Sequence, residues 1–408
     1  MKLIRMGWAV LSLTLALLSL GSCGSPTDPL APPDTMPPPP YVPTITRVAD
    51  INPGAGSSSP AALTVFGSKL YFAANDSSTG TELWSFDGTS ASQAADVRSG
   101  AASSSPQYLA TFGSALYFSG NDGSGTGLIR YNGSSATRVT DLNLPIYLTV
   151  FNNQLFMGAY DVAINGEELW RYDGANRYLV QDLYTGDNNS GYPKYLTVFG
   201  TNLYFQANDG TNGVELFRSD GSSISLAADI ASGAGSSTPA FLTVFGTNLY
   251  FRARGDGYGA ELWRFNGTSP ERITNINALG DSLPSQSGFA VYDNALYFCA
   301  TDGSSGYELW KYTASGGPEP VKDINPGAGD GLTQPAYFAV YDNALFFGAN
   351  DGSLGTELWK YTATGGAELV KDINPSGSSN PKEFGVFNNR LYFQADDGSS
   401  GAELWVYY

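Results

Sequence analysis

An aspartate and a glutamate recur at fixed offsets through this chain, and they form its one ordered set of groups suited to chemistry. The aspartates are Asp76, Asp122, Asp161, Asp209, Asp302, Asp351 and Asp397, each six residues after a repeated leucine, with Asp256 displaced by one. The glutamates are Glu82, Glu168, Glu215, Glu261, Glu308, Glu357 and Glu403. Aspartate and glutamate flank a short Gly/Ser loop, and two carboxylates held close repel unless a cation or N–H donors answer them. Calcium, which takes roughly six to eight oxygen ligands, is one answer. The other is local: the aspartate accepts from loop N–H groups in an Asx turn, and the glutamate pairs with a neighbouring repeat. The loops lack the dense DxDxDG spacing of a calcium loop, so the local answer is the expectation, with no cofactor and Ca2+ as the alternative.

No histidine occurs in the 408 residues. The commonest general base and metal ligand is therefore missing, and no serine–histidine relay, histidine zinc site or histidine-ligated haem can be built from these side chains. Of the two cysteines only Cys299 lies beyond the N-terminal segment, so no disulfide staples the body of the chain. Cys299 has no thiolate-favouring neighbour in the sequence and reads as a plain small side chain. The balance of 38 acidic against 21 basic side chains, formally −17, repels nucleic acid and favours cations or basic partners. These absences lead to the expectation of no catalytic residue and no enzyme.

An internal repeat positions the carboxylates. The leucine of an ELW-like phrase falls at Leu83, Leu128, Leu169, Leu216, Leu262, Leu309, Leu358 and Leu404, at spacings of 45, 41, 47, 46, 47, 49 and 46 residues. An LYF-like run, such as Leu70-Tyr71-Phe72, precedes each by 12 to 14 residues. Every unit holds four short apolar runs broken by Gly, Asn, Asp and Ser turns. In the seventh these are YFAVY (337–341), LFFGAN (345–350), TELWKY (356–361) and ELVKDI (368–373). Four strands per unit without helical periodicity predict the blade of a β-propeller. The last unit stops after its third strand, whereas ITRVADI (45–51) at the other end matches ELVKDI. The expected fold is therefore all-β: an eight-bladed β-propeller over 44–408, four antiparallel strands per blade, the last blade completed by the N-terminal strand. Trp84, Trp170, Trp263, Trp310, Trp359 and Trp405 sit on third strands and are expected to fill the gaps between blades.

Residues 1–22 read as a secretory signal, with Lys2 and Arg5 ahead of an apolar run, Trp8 to Leu20, too short to span a bilayer. Leu20-Gly21-Ser22-Cys23 resembles the lipobox of bacterial lipoproteins, which implies lipidation of Cys23. Gly24 after it, by resemblance to sorted lipoproteins, implies the outer membrane or the cell surface. The proline-rich stretch 23–43 reads as a tether, extending about 3.1 Å per residue.

ELWSFDGT (82–89) matches in full the ELWxxDGT repeat of bacterial exported, hyalin-like proteins, and ELWRYDGA (168–175), ELFRSDGS (215–222) and ELWRFNGT (261–268) are near matches. DINPGAG (50–56 and 323–329) and DINPSG (372–377) resemble another part of that repeat. The resemblance covers 44–408 and implies an exported repeat protein without an assigned activity. The second copy departs, with Gly127-Leu128-Ile129 in place of ELW, and copies six to eight lose the DGT ending, so their loops are expected to differ. AANDSSTGTELWSF (73–86) is similar to the tryptophan-docking phrase of eight-bladed quinoprotein propellers and of the propeller lipoprotein in the outer-membrane barrel-assembly machinery. The expected function is that of a non-catalytic cell-envelope propeller lipoprotein. It would bind a protein, glycan or cation through its loop-rich acidic face and meet the membrane through its lipid anchor. A structural scaffold of an outer-membrane assembly complex is the alternative, and a quinoprotein-like enzyme a distant third.

Overall fold

Turn chemistry sets the local structure of each repeat. The first hairpin turns on Gly67, Gly113, Gly200 or Gly246 at φ of 57–59° in four repeats, and elsewhere on paired left-handed residues such as Asn152-Asn153 and Asp342-Asn343. These are the primed turns whose twist matches that of the strands they join. The computed structural model describes residues 43–408 except 165, 187 and 188. The signal expected over 1–22, and the tether up to its last residue, including Cys23, lie outside the described residues.

Among the described residues the strands form six four-stranded antiparallel sheets and one of seven strands. The larger sheet arises because Ala136–Phe151 is continuous. Its first half pairs with Thr126–Tyr131 as the fourth strand of repeat two, and its second half with Gln154–Asp161 as the first strand of repeat three. The N-terminal strand Ile45–Ala49 pairs with the C-terminal strand Ala402–Tyr407, Ile45 opposite Tyr407 and Arg47 opposite Trp405. Thr44 and Tyr408 extend that ladder by exchanging backbone hydrogen bonds of 2.8 and 3.1 Å. First strands stand side by side in chain order, and Lys382–Phe387 of repeat eight lies against Ala61–Phe66 of repeat one. This is a propeller-like all-β fold.

The core lies between successive sheets. Leu70, Phe72 and Phe86 of repeat one pack with Tyr392, Leu404 and Val406 of repeat eight, so the two ends of the chain share a core as well as a ladder. Each third-strand tryptophan meets the preceding repeat: Trp359 packs with Tyr297 and Leu309, and Trp405 with Phe346 and Leu358. Only Trp170, Trp359 and Trp405 are fully buried, whereas Trp84, Trp263 and Trp310 are half-buried. The second-strand runs supply the driest part of the core, with Leu70, Phe72, Phe118, Phe205 and Phe393 all at 0% exposure. Second and third strands are each paired on both sides, and the second-strand rings are the more completely covered by the facing sheets.

Candidate functional site

Most of the repeated aspartates close their own turns. Asp76 accepts from the N–H groups of Ser78 and Thr79 at 2.9 and 2.7 Å and from both hydroxyls. Asp209, Asp302, Asp351 and Asp397 are answered in the same way. Asp122 adds a bidentate Arg138, and Asp161 takes the Ala163 N–H and Arg177. The displaced Asp256 reaches back to the preceding connection and accepts from Ser232. Donors from Ser304 and Ser305 hold Asp302 down at about 2. At Asp76 burial pushes the other way, and the Thr79 and Ser78 donors outweigh it, again giving about 2.

The glutamates turn inward and anchor the long connection leading to the next repeat. Glu403 accepts from the N–H groups of Ile51 and Ser58, each at 3.0 Å, and from the Ser58 hydroxyl at 2.6 Å. Glu82, Glu215 and Glu357 bind Ser104, Ser237 and Ser379 in the same geometry, and Glu261 takes the hydroxyls of Thr274 and Ser282. Glu168 and Glu308 differ, because Gly191 and Gly331 replace the serine, so no serine hydroxyl completes their donor sets. Burial lifts these two to about 7. Repeat two has Gly127 in place of glutamate, and its connection is the unbroken strand Ala136–Phe151, which leaves no loop to anchor. A β-carbon at Gly127 would collide with the Arg138 guanidinium that fills the space. Aspartate and glutamate thus have separate donor sets. Among the described residues no group of three or more His, Cys, Asp or Glu is placed to hold a metal ion.

A second constellation was not singled out in the sequence. Six first strands carry a left-handed non-glycine residue at one repeat position: Ala62, Tyr108, Tyr147, Tyr195, Phe241 and Glu383, at φ of 53–58°. A register shift accompanies each, as between Ala61 and Thr64 or between Lys194 and Thr197. Such bulges re-aim a side chain, and bulky residues tolerate this conformation at a cost of order 1–3 kcal/mol. Four of the six form a continuous run of rings across four repeats. Tyr108 and Tyr147 have centroids 5.2 Å apart, Tyr147 and Tyr195 4.9 Å, and Tyr195 and Phe241 4.9 Å. Hydroxyls of Thr149 and Thr197 stitch the same strands together through Leu196 and Leu242 carbonyls at 3.2 and 3.1 Å. Further round, Gly288 and Ala62 are small, and Glu383 accepts the Ala62 N–H at 2.8 Å and the Tyr337 hydroxyl. These residues are half-buried. The first strands that carry them follow one another from repeat to repeat, with Gly288 next to the Phe241 ring and Tyr337 at the same position in repeat seven. A cleft of about 420 Å³ opens beside Tyr337, Lys382 and Gln394. The signal was present in PQYL, PIYL, PKYL and PAFL, a proline followed two residues later by an aromatic ring.

A wider groove of about 520 Å³ lies at the rim, between the outermost strands of repeats two and three. Its arginines are already engaged, Arg138 with Asp122 and Arg177 with Asp141 and Asp161. Cys299 is buried in the core between repeats six and seven, and that burial pushes its thiol far above the usual range.

No family model matches the chain, and no curated protein matches it. Among solved structures it is similar to prolyl endopeptidases, with 10% identity, a TM-score of 0.52, and coverage of 85% of this chain and 55% of theirs. It is also similar to a puromycin-hydrolyzing peptidase of Mycobacterium tuberculosis, with 12% identity, a TM-score of 0.50, and coverage of 86% and 59%. At such identity the likeness is one of fold, and the chain spans little more than half the length of these peptidases. The expectation of a non-catalytic binding or scaffold lipoprotein, and of no enzyme, is corrected by this finding. It rested on groups missing from this chain, whereas the fold itself occurs in hydrolases that carry it alongside further chain.

Proposed function

We propose that this chain works in peptide hydrolysis, as an eight-bladed β-propeller whose axial passage admits and orients a peptide segment. The observation that carries the proposal is the run of half-buried rings Tyr108, Tyr147, Tyr195 and Phe241 on neighbouring first strands. Aromatic rings grip extended apolar and prolyl segments over a large area while their hydroxyls stay available for hydrogen bonding. The count of eight is supported by the cycle of first strands and by the division of Ala136–Phe151 between two repeats. Peptide is the preferred occupant because proteins of this fold include peptidases. With no histidine in the chain, a serine–histidine relay has to come from a second polypeptide or a further segment, and the propeller selects and aligns what reaches it. Export, lipidation at Cys23 and membership of the ELWxxDGT repeat proteins belong to the same proposal. They place the ring on a tether at the cell envelope.

The test is fluorescence anisotropy with labelled proline-containing peptides, alongside turnover of fluorogenic prolyl amides by the protein recovered in its native membranes. Saturable binding is expected, and Tyr147→Ala or Tyr195→Ala should weaken it at least about ten-fold while the melting transition is retained. Absence of both peptide binding and membrane-associated turnover would refute the proposal.

A further inference from the structure

Repeat two forms no loop at its connection, and a cleft opens beside the strand that runs there instead. Ala136–Phe151 passes unbroken from the fourth strand of repeat two into the first strand of repeat three. Leu144, midway along it, is therefore 56% exposed although it is apolar. Beside it lies a cleft of about 440 Å³. Its walls are Leu144 and Ile146 of that strand, Ser119 and Asn121 of repeat two, and Arg98 and Ser103 of the preceding connection.

Strand period and loop anchoring aim these side chains. Tyr117 packs with Tyr172 of repeat three, so Ser119 and Asn121, two and four residues further on, point the same way, toward Leu144 and Ile146. Glu82 fixes the connection, accepting the N–H of Val97 at 2.8 Å and that of Ser104 at 2.7 Å, the residues next to Arg98 and Ser103.

Each polar group on the walls keeps a donor to give. The Ser103 hydroxyl oxygen accepts the Thr81 N–H at 2.9 Å, which leaves its proton free. The Asn121 amide oxygen accepts the Gly123 N–H at 2.8 Å, which leaves its NH2 group. Ser119 is only 5% exposed, and its hydroxyl has no partner among the described residues, yet it is not sealed in: it borders the cleft. A buried hydroxyl of this kind needs a partner. Arg98 makes no ion pair within 4 Å and no side-chain hydrogen bond among the described residues, and no aspartate or glutamate lines the cleft. An unpaired guanidinium with hydroxyl and amide donors beside an apolar wall matches a carboxylate on an apolar stem. The surplus of 38 acidic over 21 basic side chains opposes anions at long range, but that field is screened beyond about 8 Å at physiological salt, so contacts inside the cleft decide. The cleft also adjoins the aromatic run: Gln107, opposite Ser119 in the ladder, precedes Tyr108, and Ile146 precedes Tyr147.

We propose that this cleft takes a peptide carboxylate, C-terminal or from an acidic side chain, with Arg98 as its counter-ion and Ser119 and Asn121 as donors. This rests on the peptide-directed function proposed above and adds where the peptide's negative charge is held, at the Tyr108 and Tyr147 end of the run of rings.

Four probes test it by calorimetric titration: acetyl-Ala-Ala-Leu with a free carboxylate, its C-terminal amide, acetyl-Ala-Glu-Leu-amide, and 4-methylpentanoate. At least one carboxylate peptide should bind about ten-fold more tightly than the uncharged amide. Tighter binding of the free acid assigns the site to a C-terminus, and tighter binding of the glutamate peptide assigns it to an acidic side chain. Arg98→Gln should abolish the preference, and Ser119→Ala should weaken the preferred peptide at least about three-fold. Circular dichroism melts identify folded variants. Leu144→Asp, which sets a negative charge at an exposed position on the wall, is the second choice and should also abolish the preference. Equal affinity for all three peptides, or a carboxylate preference that survives Arg98→Gln, overturns the carboxylate site while leaving the peptide function standing. Binding of 4-methylpentanoate that depends on Arg98, with no peptide bound, supports the site and overturns the peptide function. No binding of any probe overturns both.

Discussion

The pH dependence of stability should be set by two glutamates that lack a serine partner. Glu308 is buried, 2% exposed. It accepts the Ile324 N–H at 2.8 Å and the Asn325 N–H at 3.4 Å, but Gly331 stands where Glu357 finds the Ser379 hydroxyl at 2.6 Å. Burial, and then the nearby charge of Asp323, lift its carboxyl from 4.5 to about 7, although backbone donors oppose the shift. A carboxyl whose folded pKa lies above its unfolded value binds more protons in the native state between those two values. Stability is therefore full below about 4.5 and is lost as pH rises through about 7. That shift corresponds to about 3 kcal/mol, and Glu168, also lifted to about 7, acts in the same direction. The turn aspartates do not interfere, since Asp76 and Asp302 titrate near 2. Urea unfolding followed by tryptophan fluorescence should show the protein losing stability from pH 5 to pH 8. In Glu308→Gln the amide stays neutral, keeps an acceptor for Ile324, and should flatten that loss by up to about 3 kcal/mol. Parallel pH profiles for the parent and Glu308→Gln would refute the assignment, as would stability that rises over this range in the parent.

The remaining predictions test the architecture. Deleting residues 44–52 removes the strand paired with Ala402–Tyr407 and exposes a dry edge; a loss above about 3 kcal/mol is expected, and an unchanged urea midpoint would count against closure. Ser379→Ala deprives Glu357 of its 2.6 Å donor, which should cost about 1–3 kcal/mol, read from urea unfolding curves, and an unchanged midpoint would contradict the anchoring role. Ala62 holds φ of 57°, so Ala62→Gly should be neutral or stabilising by up to about 1 kcal/mol, whereas glycine at the preceding Ala61 should destabilise. A thiol reagent should leave Cys299, 1% exposed, unmodified until the protein unfolds, and stoichiometric labelling of the native protein would contradict its burial.

Much of the local structure was legible in the sequence because it is determined by short-range geometry. Strand lengths, the Gly and Asn-Asn hairpins and the aspartate turns each involve residues only a few positions apart, so a repeated motif displays them many times over. The match between ITRVADI and ELVKDI pointed to the pairing of the two ends, since both segments must meet the same kind of neighbour. The spacing of 41 residues between Leu128 and Leu169 is the shortest of the seven, and the unbroken strand Ala136–Phe151 accounts for it.

Tertiary structure alone decided the rest. The repeated glutamates look like partners of the aspartates on paper, yet they bind hydroxyl and N–H groups of the following connection, as Glu82 binds Val97 and Ser104 and Glu403 binds Ile51 and Ser58 at the other end of the chain. Which tryptophans are fully buried depends on the packing between neighbouring sheets, and no single repeat carries that information. The run of rings arises because left-handed bulges recur at one position of neighbouring first strands and the arrangement of those strands brings Tyr108, Tyr147, Tyr195 and Phe241 together. The sequence by itself determined a repeated all-β chain with no histidine and a surplus of negative charge. Which of its side chains face a shared space was settled only by the folded arrangement, because contacts between repeats depend on how the sheets are set against one another.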